Sequence, residues 1–376
     1  MSHIHVCLVS DQPIPNITTV LQFRPNTVVL LKTNEMDEKA KLLEDVIKKK
    51  GFEVYSETID AYDINNVINV SESLINKYRD SEISLNITGG TKIGTLGTFQ
   101  SFYANGKQIF YVDTKDNKIL ELFPKNKQSE IPIDVSIPIV DYLALYGFRI
   151  SSEVEDDSYI FRRKELTNYL ARLVSIKFYI YKINSELHKY NDKSSLPISV
   201  KMPNDKQLLE LLKLLDGVDS NKEINSRIII NTHDALRYLK GFWFEEYVYM
   251  VAKSLEPDEI KLNIKGKWVA KGQYSPKNEF DVMLSKRNRL FYISCKTADP
   301  DRKVGKDEEG IGKEYIYELV SLSNKALGLF GKRMLVSAKQ INDPTIKERA
   351  KILNVDVVDG KNVLRLKEVL KNWLNT

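Results

Sequence analysis

The chain has too few metal-binding side chains for several common kinds of site. Its 376 residues include two cysteines, Cys7 and Cys295, and four histidines, so a zinc site built from cysteines is excluded. No run of about 18 apolar residues is present, and nothing therefore predicts a membrane-spanning helix. Because the cysteines are few and no signal peptide is recognisable, we expect a reduced, cytoplasmic protein.

Two nucleotide-binding motifs are also missing. Neither the GxxxxGK[ST] pattern of phosphate-binding loops nor the GxGxxG pattern of dinucleotide-binding folds occurs. The first absence excludes a P-loop, and the second argues against a small-molecule enzyme with a dinucleotide cofactor. That enzyme stays an alternative, which a comparison of NAD with other nucleotide ligands in a binding test would decide.

What the first 125 residues do contain is a regular alternation of strands and helices. The apolar runs predict strands at Ile4–Val9, Val28–Thr33, Glu53–Thr58, Ile83–Thr88 and Ile109–Asp113. Helical spacing predicts helices at Met36–Lys50, Asp63–Tyr78 and Thr91–Asn105. This alternation predicts an α/β fold with a mostly parallel, doubly wound sheet, whose ligands bind beyond the carboxyl ends of the strands.

Two polar loops fall at those carboxyl ends. Ser10, Asp11 and Gln12 follow the first strand, and the sequence TGGTK at 88–92 follows the fourth. Glycines let backbone amides approach a ligand closely, and a helix N-terminus favours anions. The alternative is an ordinary tight turn in which Thr91 caps the helix.

Residues 277–297 predict a hairpin that carries charged side chains. Phe280–Leu284 and Leu290–Lys296 are the strands, and the polar residues 285–289 form the turn. Asp281 interrupts the first apolar run and Lys296 ends the second. A carboxylate that holds a divalent metal beside an ammonium suits phosphodiester hydrolysis. An ordinary hairpin with an edge aspartate and a solvated lysine is the alternative.

At these residues the chain resembles two families. Asp281 and Lys296 match the first acid and the lysine of the PD-(D/E)xK nuclease superfamily, while Ser294 stands at the middle acid's position. The TGGTK loop with the SDQP loop at 10–13 resembles a CARF domain, the Rossmann-like sensor of cyclic oligoadenylates. A CARF-like part followed by a PD-(D/E)xK-like part resembles the Can2/Card-type ancillary nucleases of type III CRISPR systems.

This resemblance implies a domain organisation and a set of ligands. We expect a Rossmann-like CARF domain at 1–145, a linker and helical connecting region at 146–233, and a restriction-endonuclease-like α/β domain at 234–376. It further implies a homodimer, activated by a cyclic oligoadenylate such as cyclic tetra-adenylate. The expected substrates are single-stranded DNA, RNA or nicked duplex DNA, cleaved with Mg²⁺ or Mn²⁺.

The resemblance also implies site residues. The activator pocket would be lined by the following residues: Ser10, Asp11, Gln12, Thr88, Gly89, Gly90, Thr91 and Lys92. In the nuclease domain Asp281 and Glu245 would bind the metal, with Glu279 beside them and the Cys295 carbonyl as a neutral ligand. Glu318, on a predicted helix, is the candidate to replace the missing acid. A catalytically weak effector that only binds nucleic acid remains the alternative, because Ser294 supplies no charge.

The remaining expectations concern charge and the connecting region. Residues 236–376 carry 27 Lys and Arg against 19 Asp and Glu, whereas residues 1–235 carry 29 against 32. A preference for polyanions therefore belongs to the C-terminal part. In its loop at 299–312, Lys303 and Lys306 are candidate phosphate contacts. Phe161–Lys189 predicts one long helix, and His3 with His5 is a weak candidate for metal binding.

Overall fold

The computed structural model describes residues 1–124, 130–174, 176–191, 193–219, 226–269, 275–303 and 310–375, which form three β-sheets with flanking helices. Lys306 lies outside these residues. Within them, no helix combines the length and the apolar character needed to cross a membrane.

The N-terminal sheet has seven strands. They are β1 His3–Leu8, β2 Thr27–Lys32, β3 Glu53–Thr58, β4 Glu82–Asn86, β5 Gln108–Asp113, β6 Lys118–Phe123 and β7 Glu130–Pro132. Their spatial order is β3-β2-β1-β4-β5-β6-β7, and the first five run parallel. The helices are α1 Ile14–Phe23, α2 Asp37–Lys49, α3 Ile64–Lys77 and α4 Lys92–Ala104. The predicted doubly wound sheet is confirmed. The additional elements are β6 and β7 at one edge of the sheet and α1, which shortens the first polar loop.

His3 and His5 serve the sheet instead of forming a metal site. One ring nitrogen of each lies 2.8 Å from the Ser84 hydroxyl on the neighbouring strand, and the second ring nitrogen of His5 lies 2.9 Å from the Thr19 hydroxyl. Burial lowers the pKa of His5 to about 3. The pair is therefore a buried, neutral hydrogen-bonding unit between β1, β4 and α1.

The connecting region contains short elements instead of one long helix. They are α5 Ile139–Leu145, β8 Phe148–Ser152, α6 Ser158–Arg162, α7 Lys164–Leu173, α8 Lys177–Leu187, β9 Ile198–Lys201, α9 Lys206–Leu211, β10 Val218–Asp219 and β11 Arg227–Ile230. The prediction of a single helix over Phe161–Lys189 is wrong, because Arg163 and Ile176 leave the helical conformation. Strands β10, β11 and β9 form the small middle sheet.

The C-terminal sheet has six strands, of which one comes from the connecting region. The elements are α10 His233–Arg237, α11 Trp243–Lys253, β12 Glu259–Trp268, β13 Lys277–Lys286, β14 Arg289–Lys296, α12 Gly312–Ala326, β15 Lys332–Ser337, α13 Pro344–Ile352, β16 Asp356–Asp359 and α14 Leu366–Asn375. Their order is β16-β15-β14-β13-β12-β8, antiparallel from β8 to β14 and parallel beyond. The predicted α/β C-terminal domain is thus confirmed.

The N-terminal and C-terminal sheets share one apolar core. Buried side chains of β1, α1 and α2 belong to the same cluster as those of α5, β13, β14 and α12. Within it, Phe148 of β8 packs edge-on against Phe280 of β13, with ring centroids 5.2 Å apart. Direct packing of buried side chains therefore joins the two sheets.

Candidate active site

The catalytic candidates lie on the hairpin formed by β13 and β14. Arg287 and Asn288 form its turn with positive φ values of 50° and 55°, which suits a two-residue hairpin loop. Val282 pairs with Ile293 in the antiparallel register, so Asp281 stands opposite Ser294. Side chains of alternate residues share a face, and Ser294 and Lys296 therefore point to the same side as Asp281.

Asp281 is partly buried and is held by the neighbouring strand. Its Oδ2 accepts a hydrogen bond from the Cys295 N–H at 2.7 Å and one from the Ser294 hydroxyl at 3.2 Å. Burial raises the pKa of Asp281, although Lys296 and these two hydrogen bonds oppose the shift. Ser294 therefore orients the carboxylate, which an ionised acid at the same position could not do by donation.

Glu245 is the second carboxylate at this place. Its Oε2 atom is buried and has no hydrogen-bond partner among the described residues. Burial and the charges of Asp281 and Glu279 raise its pKa to about 9. An unpartnered buried carboxylate oxygen beside a second carboxylate is costly unless a cation neutralises it. The donor set therefore fits a divalent metal with a preference for oxygen ligands.

The adjacent Glu246 has a structural role. It is fully buried and accepts two hydrogen bonds from the Arg163 guanidinium, which lies between the rings of Tyr159 and Tyr238. Successive residues on a helix are about 100° apart, so only one of the two glutamates can face the hairpin. In this fold it is Glu245.

Glu279 lies two residues before Asp281, on the same face of β13. Its Oε1 accepts a hydrogen bond from the Asn263 amide, and its Oε2 lies 3.4 Å from Lys265 Nζ. Among the described residues, no group of three or more acidic, histidine or cysteine side chains is assembled closely enough to hold a metal ion. Any metal there would accordingly depend on Asp281 and Glu245, completed by neutral oxygen ligands.

Lys296 is held between two groups of α12. Its Nζ lies 3.3 Å from Glu318 Oε2 and 5.2 Å from the centre of the Tyr315 ring. Burial lowers the pKa of Lys296, but Asp281 and Glu318 outweigh it, and the net shift is upward. The structure thus places Glu318 at the lysine, with its side chain 59% exposed. Among the described residues, no hydrogen bond joins Glu318 to Asp281.

Cys295 contributes through its backbone. Burial and the nearby carboxylates raise the pKa of its thiol, which therefore stays protonated and is a poor metal ligand. Its N–H orients Asp281. The expectation that its carbonyl binds the metal stays a prediction.

Three of the catalytic candidates line one cavity of about 320 Å³. Glu245, Glu279 and Lys296 line it together with Arg237 and Lys240. The chain is kinked between α10 and α11 at Gly241, whose φ is 154°. A Cβ at that position would lie 2.9 Å from Thr297 Oγ1, so glycine allows α11 to approach the end of β14.

The predicted activator loops lie side by side at the carboxyl ends of β1 and β4. A Cβ on Gly89 would lie 2.3 Å from the Leu8 carbonyl oxygen and 3.1 Å from Ser10 Oγ, so the two loops touch there. Gly90 has a φ of 83° and is exposed, as is Lys92 at the start of α4. An exposed backbone turn and a cation therefore lie at the carboxyl end of the parallel sheet.

Two threonines of this loop support its conformation. Thr88 donates to the Asn86 side chain at 2.6 Å and accepts from the Val112 N–H at 2.7 Å. Thr91 accepts from the Gly94 N–H at 3.0 Å as the helix cap, which is the structural alternative for that residue. Their hydroxyls are therefore used within the fold.

Gln12 and Asp11 contact residues outside the two loops. Gln12 Oε1 accepts from the Tyr146 hydroxyl at 3.2 Å and from the Leu329 N–H at 3.0 Å. Leu329 lies just beyond α12 in the C-terminal domain. Asp11 is exposed and lies 3.8 Å from Lys39 Nζ. The first loop therefore joins the N-terminal domain to the C-terminal one.

Comparison with protein families places these two sites in one architecture. The family model described as the Card1 CARF domain matches residues 4–142, and the one described as the Card1-like endonuclease domain matches residues 232–376. The chain therefore matches two domain families, one for each of its two main parts. It consists of a CARF domain and a Card1-like endonuclease domain joined by the connecting region. No curated protein sequence matches it.

Solved structures share this Card1-like fold. Can2 from Sulfobacillus thermosulfidooxidans, in complex with cyclic tetra-adenylate, is 24% identical over 100% of both chains, with a TM-score of 0.78. VC1899 from Vibrio cholerae is 21% identical over 99% of this chain and 98% of its own, with a TM-score of 0.84. A type III CRISPR defence DNA nuclease activated by cyclic oligoadenylate is 18% identical, with 90% of this chain and 45% of that chain covered and a TM-score of 0.59.

Sequence reasoning missed part of the endonuclease site. Arg237 donates to Asn263 Oδ1 at 2.7 Å, and Asn263 in turn donates to Glu279. Asn263 interrupts the pairing of β12 with β13 and has a φ of 55°. An asparagine between the apolar residues of a strand is the one signal in the sequence that points to this positive φ, because asparagine adopts that conformation more readily than most residues.

Proposed function

We propose that this protein is a metal-dependent endonuclease, activated by a cyclic oligoadenylate, that cleaves DNA or RNA in type III CRISPR defence. The observation that carries the proposal is the pair of partly buried carboxylates, Glu245 and Asp281, next to Lys296. In this proposal residues 1–145 sense the activator, residues 234–376 cleave, and residues 146–233 connect them.

Asp281 and Glu245 would hold Mg²⁺ or Mn²⁺, both hard cations that take oxygen ligands. When bound, such an ion supplies charge stabilisation to the scissile phosphate and lowers the pKa of a water molecule. Ser294 and the Cys295 N–H keep the Asp281 carboxylate in place. Glu245 binds as a carboxylate only when the cation offsets the burial that raises its pKa.

Lys296 would stabilise the charge that develops on the phosphate. Its net upward pKa shift keeps it protonated at neutral pH, as electrostatic stabilisation requires. The salt bridge with Glu318 fixes the direction of its side chain. Glu318 thereby offsets the missing middle acid indirectly, through the lysine.

The activator would bind at the CARF loops. Gly90 and Lys92 offer backbone amides and a cation, and both suit a ligand rich in phosphate. The fold is shared with Can2, which was solved with cyclic tetra-adenylate, and that compound is our proposed activator. A second copy of the chain would complete the pocket across a two-fold axis.

One helix connects the proposed pocket with the proposed catalytic lysine. Gln12 of the activator loop is bonded to Leu329, just after α12, and Tyr142 donates to the Leu327 carbonyl at 3.0 Å. The same helix carries Glu318, which contacts Lys296. A ligand that displaces Gln12 would therefore act on the position of α12 and on the lysine, so two sites would share one movable element.

The competing candidate is an effector that binds nucleic acid but cleaves it weakly. It is favoured by Ser294 and by the lack, within the described residues, of a preassembled cluster of three metal-binding side chains. On that account the activator controls binding and leaves cleavage negligible.

The test uses purified full-length protein with labelled single-stranded DNA, RNA and nicked duplex DNA. Each is incubated with cyclic tetra-adenylate, another ring size or NAD, in Mg²⁺, Mn²⁺ or EDTA. We expect cleavage only when a cyclic oligoadenylate and a metal are both present. Tight binding without cleavage under every condition would establish the competing candidate, and cleavage that ignores the activator would contradict the regulation.

A further inference from the structure

A groove leads away from the candidate active site towards the connecting region. The cavity that Glu245 lines shares Lys240 and Thr297 with a second depression of about 610 Å³. The second shares Tyr181 and Lys339 with a third, of about 750 Å³. Because neighbouring depressions have common walls, the three form one continuous surface that ends at the catalytic candidates.

One wall of this groove is α8 of the connecting region. Asn184 of α8 donates to the Thr297 carbonyl, one residue beyond the catalytic Lys296, at 3.1 Å. Lys240 donates to the Tyr190 carbonyl, just after the same helix, at 2.7 Å. Helix α8 is therefore fastened to the end of the catalytic hairpin, and its position relative to the active site is fixed.

The charges of the groove suit a polyanion. Lys240, Arg302 and Lys339 line it. Two acids, Asp299 and Asp301, lie in the same wall. Asp301 accepts from the backbone and the side chain of Asn342, each at 2.8 Å, and Asp299 accepts from the Asp301 N–H at 3.1 Å. Lys339 is partly buried, and Arg302 adds a second positive charge nearby. Crowded cations of this kind favour binding of phosphate groups.

An exposed aromatic ring and an unpaired acceptor lie among these cations. Tyr181 is 62% exposed, and Lys339 Nζ lies 5.2 Å from the centre of its ring. Asn184 Oδ1 is buried and has no hydrogen-bond partner within the described part of the chain. Unpaired bases stack on exposed aromatic rings beside cations, and they carry amino groups that such an acceptor takes.

We propose that this groove binds the single-stranded segment next to the scissile bond, with its phosphates at Lys240, Arg302 and Lys339 and one base stacked on Tyr181. The inference rests on the proposed nuclease function and assigns the connecting region to the substrate surface. Tyr181 determines which strands bind, because a base held in a duplex cannot stack on it.

The experiment measures binding and cleavage separately. Full-length protein saturated with cyclic tetra-adenylate is titrated, in EDTA, against a fluorescent single-stranded DNA, and anisotropy gives Kd. The variants are Tyr181→Ala, Tyr181→Phe and Lys339→Gln. Tyr317→Ala is the matched control, since Tyr317 is 53% exposed, also lies 5.2 Å from a cation, Arg349, and does not line the groove.

We expect Tyr181→Ala to raise Kd about 10-fold, within the range that one stacked base contributes, and Tyr181→Phe to bind like wild type. Lys339→Gln should weaken binding and lower the dependence of log Kd on log salt by about 0.7. Tyr317→Ala should match wild type. Equal Kd values for Tyr181→Ala and Tyr317→Ala would overturn the proposal that this groove binds the strand.

A scan with abasic sites tests the stacking directly. Removing the base at one position of the strand should weaken binding of wild type by the same factor as Tyr181→Ala. In Tyr181→Ala that abasic site should have no further effect, because the two changes remove one contact. Independent effects at every position overturn the assignment. If the wild type binds and cleaves the strand and Tyr181→Ala does so equally well, the groove is wrong but the nuclease function stands. If the wild type binds no strand, both the groove and the nuclease function are wrong.

Discussion

The substitution Glu245→Gln should stabilise the protein at neutral pH while it removes cleavage. The pKa of Glu245 is raised from 4.5 to about 9, so the folded protein holds a proton that the unfolded chain has released. The contribution of Glu245 to stability is therefore greatest below its pKa in the unfolded chain. It falls as the pH rises and levels off only above its pKa in the folded protein. Glutamine imitates the protonated carboxyl and does not titrate.

The size of the effect follows from these two pKa values. Each pH unit between them costs about 1.4 kcal/mol, so the stability advantage of Glu245→Gln should grow by about 3 kcal/mol between about pH 5 and about pH 7.5. Urea unfolding in EDTA measures it. The three tryptophans, Trp243, Trp268 and Trp373, all lie in the endonuclease domain, and their fluorescence therefore reports its unfolding.

Glu318→Gln is the matched control for this experiment. Glu318 lies at the same site but is 59% exposed, so its substitution should produce no comparable dependence on pH. A stability difference between wild type and Glu245→Gln that is the same at both pH values would refute the reasoning. Addition of Mn²⁺ should stabilise wild type more than Glu245→Gln, because only the carboxylate binds the ion.

Three further predictions concern the other sites. Lys92→Ala should weaken binding of cyclic tetra-adenylate in calorimetry without a change in unfolding, and an unchanged affinity would place the pocket elsewhere. Glu318→Ala should lower the cleavage rate about 10-fold by releasing the side chain of Lys296, whereas Ser294→Ala should have a smaller effect. An unchanged cleavage rate of Glu318→Ala across a Mn²⁺ titration would contradict this role of Glu318. Glu246→Ala should destabilise the endonuclease domain by about 3–5 kcal/mol, because it leaves Arg163 buried without its partner, and urea unfolding at an unchanged midpoint would contradict that.

The fold could be predicted where local pattern and packing agree. The buried apolar runs of β1 and β2 specify parallel strands, and the polar turn at 285–289 specifies the hairpin that carries Asp281 and Lys296. The TGGTK loop could be placed because it follows an apolar strand and precedes a helix. Each of these signals is local, and the sheet confirms it.

Contacts between distant parts of the chain could not be predicted in this way. The different surroundings of Glu245 and Glu246 depend on Arg163, which lies 83 residues from Glu246 in the sequence. Gln12 meets Leu329 across 317 residues. The positive φ of Asn263 in β12 accompanies hydrogen bonds to Arg237 and Glu279, which lie 26 and 16 residues away in the sequence. Tertiary packing determines all of these features, and local propensity carries no information about them.

The most direct test of the account is the cleavage rate of Lys296→Ala beside wild type. Both proteins are given labelled single-stranded DNA and RNA, Mn²⁺ and saturating cyclic tetra-adenylate, after calorimetry has measured their activator affinities. We predict that wild type cleaves only when the activator is present. We also predict that Lys296→Ala is slower by about 100-fold or more, with the same activator affinity. Cleavage by Lys296→Ala at the wild-type rate would contradict the proposed active site.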